Sequence, residues 1–447
     1  MIKKINLKFS YTQTIAFGFA VLILVGALIL CLPISSRSGE WTSPLDTLFT
    51  ATSATCVTGL VLFDTYTQWS VFGQLVILFL IQMGGIGFMT VITMFSIFMK
   101  RRIGLHERQL LVQSAGTLRL SGVVRLIKRI VIGSIFFELS GAALLATRFC
   151  PQMGFWRGIY NAIFHSVSAF CNAGFDIMGK YGQFSSLTSY AGDAVVNLTI
   201  SMLIVIGGIG FIVWDDIAKH KLRFREYTLH SKIVLTVTVI LIGVGWLLFY
   251  IFEARGVLSG LSGTDKVIAA LFQSITPRTA GFNTVDMAGL SESGSFLTII
   301  LMFIGGSSGS TAGGIKTTTL AVLFLNVFAS SRKIRHVKVY KRRIEDNLVR
   351  EAGAFFTVYL ATVTAATMLL CAIEPFSLKQ ILFEVVSAIG TVGLTIGITP
   401  SIGTVSKVVI TLLMFVGRVG WLTLVFALAG KHFDPPVERV PEKILIG

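Results

Sequence analysis

Charged residues are scarce in this sequence. Only 13% of the 447 residues are Asp, Glu, Lys or Arg, whereas 53% are hydrophobic. Soluble domains usually carry about a quarter charged residues, so the composition excludes an ordinary soluble protein and predicts a polytopic membrane protein. Apolar runs long enough to cross about 30 Å of hydrocarbon occur at 13–33, 70–98, 125–147, 192–214, 231–252, 296–329, 353–373 and 404–430.

Motifs for enzymatic chemistry or for a resident cofactor are also missing. The six histidines show no ligand spacing, and the five cysteines form no CxxC pair, which argues against metal or redox chemistry. Residues 309–317 approach the nucleotide-binding pattern GxxxxGK[ST], but Ile315 separates Gly314 from Lys316 and no strand precedes the segment. We therefore expect neither an enzyme nor a cofactor held by this chain.

What the sequence does contain is a short polar loop that ends in glycine and occurs four times. The stretch SATCVTGL at 53–60 is echoed by SAFCNAGF at 168–175, by SAIGTVGL at 387–394 and, in diverged form, by TPRTAGF at 276–282. The glycines at 59, 174, 281 and 393 lie roughly 110 residues apart, which indicates a fourfold repeat. Each loop follows an amphiphilic stretch too short to cross a membrane, at 45–54, 159–170, 266–276 and 379–389.

These patterns predict an all-α polytopic membrane protein built from four M1-P-M2 repeats. In each repeat an outer helix M1, a short pore helix P, a loop and an inner helix M2 follow one another, giving eight transmembrane helices and four re-entrant pore helices around a pseudo-fourfold central pore. The predicted divisions are 1–99 for repeat 1, 100–218 for a basic cytoplasmic connection and repeat 2, 219–331 for repeat 3 with a broken M2, 332–430 for a basic loop and repeat 4, and 431–447 for a C-terminal tail.

The positive charges indicate the orientation. Most of the 38 Lys and Arg residues lie in the termini and between the repeats, so the positive-inside rule places both termini in the cytoplasm. The clusters 100–102, 219–225 and 332–343 are interpreted first as charges beside anionic lipid headgroups; the last one is also a candidate docking site for a cytosolic partner. Nucleic-acid binding is not expected, because no binding fold accompanies the basic residues.

The opposite side, which carries the glycine loops, has a mild acidic excess. Asp64, Asp176 and Asp286 follow three of the loops closely. An acidic outer mouth of this kind would concentrate cations.

Four loops entering the membrane from one side would surround a single axis. Their backbone carbonyls would replace the hydration shell of an alkali cation, and glycine would allow the strained backbone that aims them inward. The predicted ion selectivity filter consists of Thr55, Cys56, Val57, Thr58, Gly59, Asn172, Ala173, Gly174, Thr279, Ala280, Gly281, Thr391, Val392 and Gly393. The alternative is four packing glycines at helix ends.

The inner helices carry glycine motifs at 84–88, 207–211, 305–306 and 417–421, which predict close helix packing. One of these motifs opens a longer run that breaks the sixth apolar segment and is a candidate gate. Its residues are Gly305, Gly306, Ser307, Ser308, Gly309, Ser310, Thr311, Ala312, Gly313 and Gly314, with Lys316 assisting.

Arg418 is a charge inside the last apolar segment, where lipid exposure would be costly. It either pairs with carbonyls that the broken helix leaves free or helps to hold the gate closed. Both interpretations predict a contact with residues 305–314.

With these motifs the chain resembles the Trk/Ktr/HKT superfamily of potassium translocation proteins over almost its whole length, and most closely the membrane subunit of bacterial Ktr systems. The resemblance implies potassium as the transported ion, held by the backbone at Gly59, Gly174, Gly281 and Gly393, in a bacterial plasma (inner) membrane. Gly59 favours potassium, since plant relatives that pass sodium often have serine there. Arg278, in the diverged third loop, is expected to point away from the ion path.

The resemblance also implies partners. It predicts a homodimer with one pore in each protomer and a cytosolic RCK/KTN-type regulatory ring of the KtrA/KtrC kind. ATP or ADP would act only through that ring, and sodium would stimulate the flux.

A coupled secondary transporter is the alternative, for which intramembrane carboxylates that bind a driving ion are expected. Glu138 is the acidic residue placed well inside an outer helix, and we expect it to face another helix rather than a proton path.

Overall fold

The computed structural model describes residues 11–87, 90–91, 109, 122–221 and 223–420, and they are mostly helical. Their α-helices are α1 Tyr11–Cys31, α2 Pro44–Thr55, α3 Thr65–Gln68, α4 Val71–Ile86, α5 Val123–Met153, α6 Phe155–Phe170, α7 Ala194–Gly208, α8 Phe211–His220, α9 Leu229–Glu253, α10 Gly263–Ile275, α11 Glu292–Phe303, α12 Thr317–Ser331, α13 Asp346–Ile373, α14 Leu378–Gly390 and α15 Thr404–Val419. Strands β1 Lys338–Val339 and β2 Arg342–Arg343 form an antiparallel hairpin in which Lys338 is opposite Arg343. The predicted tail 431–447 and the basic cluster 100–102 lie outside the described residues.

Four described helices, α1, α5, α9 and α13, are long and apolar enough to cross a membrane. The pair α7 and α8 passes the same test only when taken together, and it bends by 96° at its break. The sequence predicts one apolar helix at 192–214, whereas the structure has two helices with a bend between them. Gly210 has a φ of +99°, a left-handed value that favours glycine and ends α7 within the apolar run.

Helix ends are fixed by local polar side chains. The hydroxyl of Thr228 accepts the N–H of Ser231 at the start of α9, and Ser291 does the same for Gly294 at the start of α11. Ser377 and Gln380 form a reciprocal capping box at the start of α14. These caps satisfy N–H groups that would otherwise be left without partners at helix starts.

The core lies around α2, α6, α10 and α14, the four helices that directly precede the glycine loops and are called the short helices below. Each of them packs against the long helix before it, so the short helices lie inside and the long ones outside. Three of the short helices also pack against an apolar helix from the preceding part of the chain, in the pairs α4 with α6, α7 with α10, and α11 with α14, and α2 packs against α15. The last pair joins the end of the described chain to its beginning, so the short helices form a closed cycle.

Candidate ion path

The four loop glycines share one unusual backbone conformation. Their φ angles are +90° at Gly59, +69° at Gly174, +83° at Gly281 and +91° at Gly393. Two positions earlier the φ angle is positive in every loop as well, at Val57, Asn172, Thr279 and Thr391. Left-handed backbone is uncommon outside glycine, so its recurrence at one register shows that the four loops have the same local shape.

The same glycines meet around one axis. A Cβ added to Gly59 would lie 2.5 Å from the carbonyl oxygen of Ala173, and one added to Gly174 would lie 2.7 Å from that of Ala280. A Cβ added to Gly281 would likewise collide with the carbonyl oxygen of Val392, and one added to Gly393 would collide with that of Thr58, which closes the cycle. Each glycine therefore approaches the carbonyl before the next glycine, and a side chain has no room at any of the four positions.

Hydrogen bonds from the short helices hold these loops. Ser53 Oγ accepts the N–H of Gly59 and Ser387 Oγ accepts that of Gly393, both at 3.1 Å. In the second loop Ser168 Oγ donates to the carbonyl of Phe175 at 2.7 Å. The predicted filter residues are all buried, so the loops lie inside protein, as irregular backbone within a membrane requires.

The third loop departs from the others. Its Ala280 N–H donates to the carbonyl of Thr276, four residues back, whereas the equivalent N–H groups in the other loops donate five residues back. Arg278 is 6% exposed, and its Nη2 lies 3.4 Å from Thr238 Oγ1 on the long helix α9. The expectation that Arg278 points away from the loop axis is confirmed.

The predicted gate segment separates helix α11 from helix α12. The sixth apolar run is therefore broken there, as the sequence predicts. The backbone of the segment lies against the break between α7 and α8, because Ser307 N–H donates to Gly208 O at 3.0 Å and Phe211 N–H donates to Gly309 O at 2.8 Å. Thr311 Oγ1 donates to Phe170 O at 3.3 Å, at the end of the short helix before the second loop. The segment therefore lies directly beside that loop.

Arg418 joins this segment to helix α4. Its guanidinium donates to the carbonyl of Thr311 and to the carbonyls of Gly84 and Gly85 on α4, the last at 3.2 Å. Lys316 Nζ donates to the carbonyl of Ala312 at 2.8 Å. The predicted contact between Arg418 and residues 305–314 is present, and the carbonyls it binds suit both interpretations of its role.

Close helix packing at the glycine motifs is confirmed. A Cβ added to Gly84, Gly207 or Gly417 would collide with the carbonyl oxygen four residues before a loop glycine, that of Thr55, Phe170 or Ile389. A second property of these motifs was not predicted from the sequence. Their last glycines, Gly87, Gly210 and Gly420, have φ angles of +88°, +99° and +91° and follow a helix or a helix break. In the sequence, this left-handed backbone is indicated by a second glycine three residues after the first.

The acidic residues after the loops are largely used by the local structure. Asp64 is 3% exposed; its Oδ1 accepts the N–H groups of Tyr66 and Thr67, and its Oδ2 accepts that of Phe184 at 3.0 Å. Burial raises the pKa of Asp176 to about 7, a hydrogen bond from Met178 N–H opposes this rise, and the charge of Asp64 adds to it. The expected acidic mouth is therefore weaker at neutral pH than the count of carboxylates suggests.

The half-buried Gln82 and the buried Glu384 were not singled out from the sequence. Glu384, on α14, accepts the hydroxyl of Thr395 at 2.9 Å and that of Thr399, so it ties the short helix to the segment after the fourth loop. Gln82 contacts Glu138, which does face another helix as expected. Isolated polar residues in apolar helices were the only signal.

The chain is similar to known cation transport proteins over nearly its whole length. The family model of TrkH, described as a cation transport protein, matches residues 5–435. The chain belongs to the TrkH family. It is 42% identical to the potassium/sodium uptake protein NtpJ of Enterococcus hirae. The alignment is 455 residues long and covers 100% of this chain and 99% of that protein. It is also 42% identical over 425 residues to Ktr system potassium uptake protein B of Bacillus subtilis, with 94% of each chain covered.

The fold agrees with this membership. The crystal structure of the potassium transporter TrkH from Vibrio parahaemolyticus matches with a TM-score of 0.74 and 20% identity, covering 96% of this chain and 87% of that one. The predicted resemblance is confirmed, and so is the prediction that the chain is not an enzyme, because the TrkH family consists of transporters. This TrkH-family chain is a multi-pass membrane protein.

Proposed function

We propose that this chain is the pore-forming, ion-translocating subunit of a Ktr-type potassium uptake system in the bacterial plasma membrane. The names of its relatives support potassium as the ion. The observation that carries the proposal is the closed cycle of Gly59, Gly174, Gly281 and Gly393, in which each glycine approaches a carbonyl of the next loop.

In this proposal the chain consists of four M1-P-M2 repeats around a pseudo-fourfold axis. The helices α1, α5, α9 and α13 are the outer M1 helices, and α2, α6, α10 and α14 are the pore helices. The carbonyls before the four glycines replace the water around a potassium ion, and no charged side chain is needed. The shared left-handed backbone and the packing cycle of the short helices support this arrangement.

Residues 305–314 act as the gate below the filter. Their contact with the second loop through Thr311, and the bonds from Arg418 to Thr311 and to α4, support this role. The bonds of Arg418 hold the segment across the ion path, and a regulatory movement that draws the two apart opens it.

Regulation comes from outside the chain. The name of the Bacillus subtilis relative refers to a Ktr system, and we propose a homodimer bound to a cytosolic RCK/KTN-type ring that carries the ATP or ADP site. Both termini lie in the cytoplasm, together with the hairpin of β1 and β2. The exposed side chains of Lys338, Lys341 and Arg342 on this hairpin suit anionic lipid headgroups or the ring.

Potassium and sodium flux into liposomes that contain only this chain tests the proposal. We expect potassium flux that follows its own electrochemical gradient and exceeds sodium flux. Uptake that requires an inward sodium or proton gradient would instead favour a coupled secondary transporter, and the name potassium/sodium uptake protein of one relative makes sodium the first ion to test. If sodium accelerates potassium flux in the absence of a sodium gradient, sodium stimulates the transport without driving it.

A further inference from the structure

A buried carboxylate lies behind the second loop. Glu138, on α5, is 7% exposed, and both of its carboxylate oxygens accept from Nε2 of Gln82 on α4, at 2.9 and 3.1 Å. Among the described residues it takes part in no ion pair. Burying a carboxylate is costly unless hydrogen bonds compensate, so a residue of this kind calls for an explanation beyond packing.

The other end of the Gln82 amide reaches the second loop. Gln82 Oε1 accepts from Cys171 Sγ at 3.4 Å, and Cys171 stands three residues before Gly174. A Cβ added to Gly85 would lie 2.6 Å from Cys171 Sγ, so the thiol is held tightly against α4. Glu138, Gln82 and Cys171 thus form one chain of contacts that ends in the loop.

The carboxylate decides which way this amide points. Carboxylate oxygens only accept hydrogen bonds when ionised, so Glu138 draws the NH₂ end of Gln82 and leaves the carbonyl end facing the thiol. Glu138 is also joined to the short helix of the same loop, because its backbone carbonyl accepts from Ser166 Oγ at 2.6 Å. One residue therefore holds both the loop and the helix that carries it.

We propose that Glu138 is a positioning residue for ion selection: through Gln82 and Cys171 it fixes the backbone of the second loop. This inference rests on the proposed function, in which the carbonyls of that loop contact potassium. Sub-ångström shifts of such carbonyls change how well they replace the water around potassium and around the smaller sodium ion. Loss of the carboxylate therefore alters the choice between these ions while the path remains open.

The experiment compares potassium and sodium flux in liposomes for the full chain and its variants. Glu138→Leu removes both acceptors, and we expect the ratio of potassium to sodium flux to fall at least about fivefold, as loss of a buried hydrogen bond allows. Glu138→Gln keeps one acceptor and should lie between that variant and the parent protein. Exchange of the two residues, Glu138→Gln with Gln82→Glu, keeps the amide and carboxylate pair and should restore the ratio to within about twofold of the parent.

Tyr160→Phe is the matched control. Tyr160, on α6, donates to Gln74 Oε1 on α4 at 2.9 Å, so this variant removes a partly buried bond from another helix to α4, outside the contact chain. We expect an unchanged flux ratio. An equal fall in Tyr160→Phe, or an unchanged ratio in Glu138→Leu with only a lower melting temperature, would show a purely structural role for Glu138.

The parent protein separates this inference from the function on which it rests. If the parent passes potassium and sodium equally, the proposed function fails and the inference fails with it. A different set of results would contradict only the role of Glu138. In that set the parent is selective for potassium, the Gly174→Ser variant loses selectivity, and the Glu138→Leu variant keeps it.

Discussion

Lys407 and Asp46 form an ion pair between the last described helix and the first short helix, with Nζ and Oδ1 2.7 Å apart. The two side chains are 20% and 15% exposed, so water screens the pair only in part. The contact joins α15 to α2, the same two helices whose packing closes the cycle of short helices. The ion pair therefore joins the two ends of the cycle of short helices.

Lys407→Met should loosen this closure. It leaves Asp46 partly buried without its partner, which we expect to cost about 1–3 kcal/mol of stability. Thermal unfolding of the purified protein in detergent measures the loss. Arg343→Met, which breaks the exposed pair of Arg343 with Asp346, is the control and should change stability little; equal effects of the two variants would contradict a special role for Lys407.

Gly59→Ser should weaken discrimination of potassium over sodium. The added Cβ would lie 2.5 Å from Ala173 O, and serine would also strain a backbone with a φ of +90°, so the carbonyls on that side must shift. Flux of the two ions into liposomes measures the effect. Gly397→Ala separates strain from crowding, because Gly397 has a φ of +97° with no atom within 4 Å of an added Cβ, and this variant should stay selective. Unchanged selectivity in Gly59→Ser would count heavily against the filter.

Shortening the gate segment should raise potassium flux in the absence of any regulatory partner. Deletion of residues 307–312 removes Thr311 and with it the backbone contacts to α7 and Arg418. Arg418→Gln tests the same contact without changing chain length, and we expect a smaller rise. Loss of transport in correctly inserted protein of both variants would contradict the gating role.

External pH should change the apparent affinity for potassium through Asp176. The pKa of this residue is raised to about 7 by burial, so it is largely neutral at pH 6 and charged at pH 8. A negative charge near the mouth concentrates cations, and we expect the half-saturating potassium concentration to fall as pH rises from 6 to 8. Asp176→Asn should remove this dependence in uptake measurements; an identical pH profile in the variant would assign the effect elsewhere.

The same pKa predicts how stability changes with pH. An aspartic acid in an unfolded chain has a pKa of about 3.9, so between pH 4 and 7 the folded protein binds more protons at Asp176 than the unfolded one. Stability from this residue therefore falls as pH rises through that window and levels off above it. The melting temperature of the parent should therefore fall relative to that of Asp176→Asn as pH rises from 4 to 7.

The local features of this protein could be predicted from its amino-acid sequence. Long apolar runs and scarce charge predicted the membrane class, the four loop glycines marked positions of left-handed backbone, and the run rich in glycine and serine at 305–314 predicted a helix break. These predictions hold because backbone conformation and burial in lipid depend mainly on the residues of the segment itself.

The tertiary structure was needed for every feature that depends on residues far apart in the chain. It brought Arg418 to Gly84 and Thr311, placed the N–H of Phe184 on the carboxylate of Asp64, and joined Glu138 to Cys171 through Gln82. It also interrupted the run at 192–214 by placing Gly210 against residues 308–309. Hydrophobic periodicity carries no information about which distant carbonyl or amide a polar side chain will meet, because that choice is made when the helices pack.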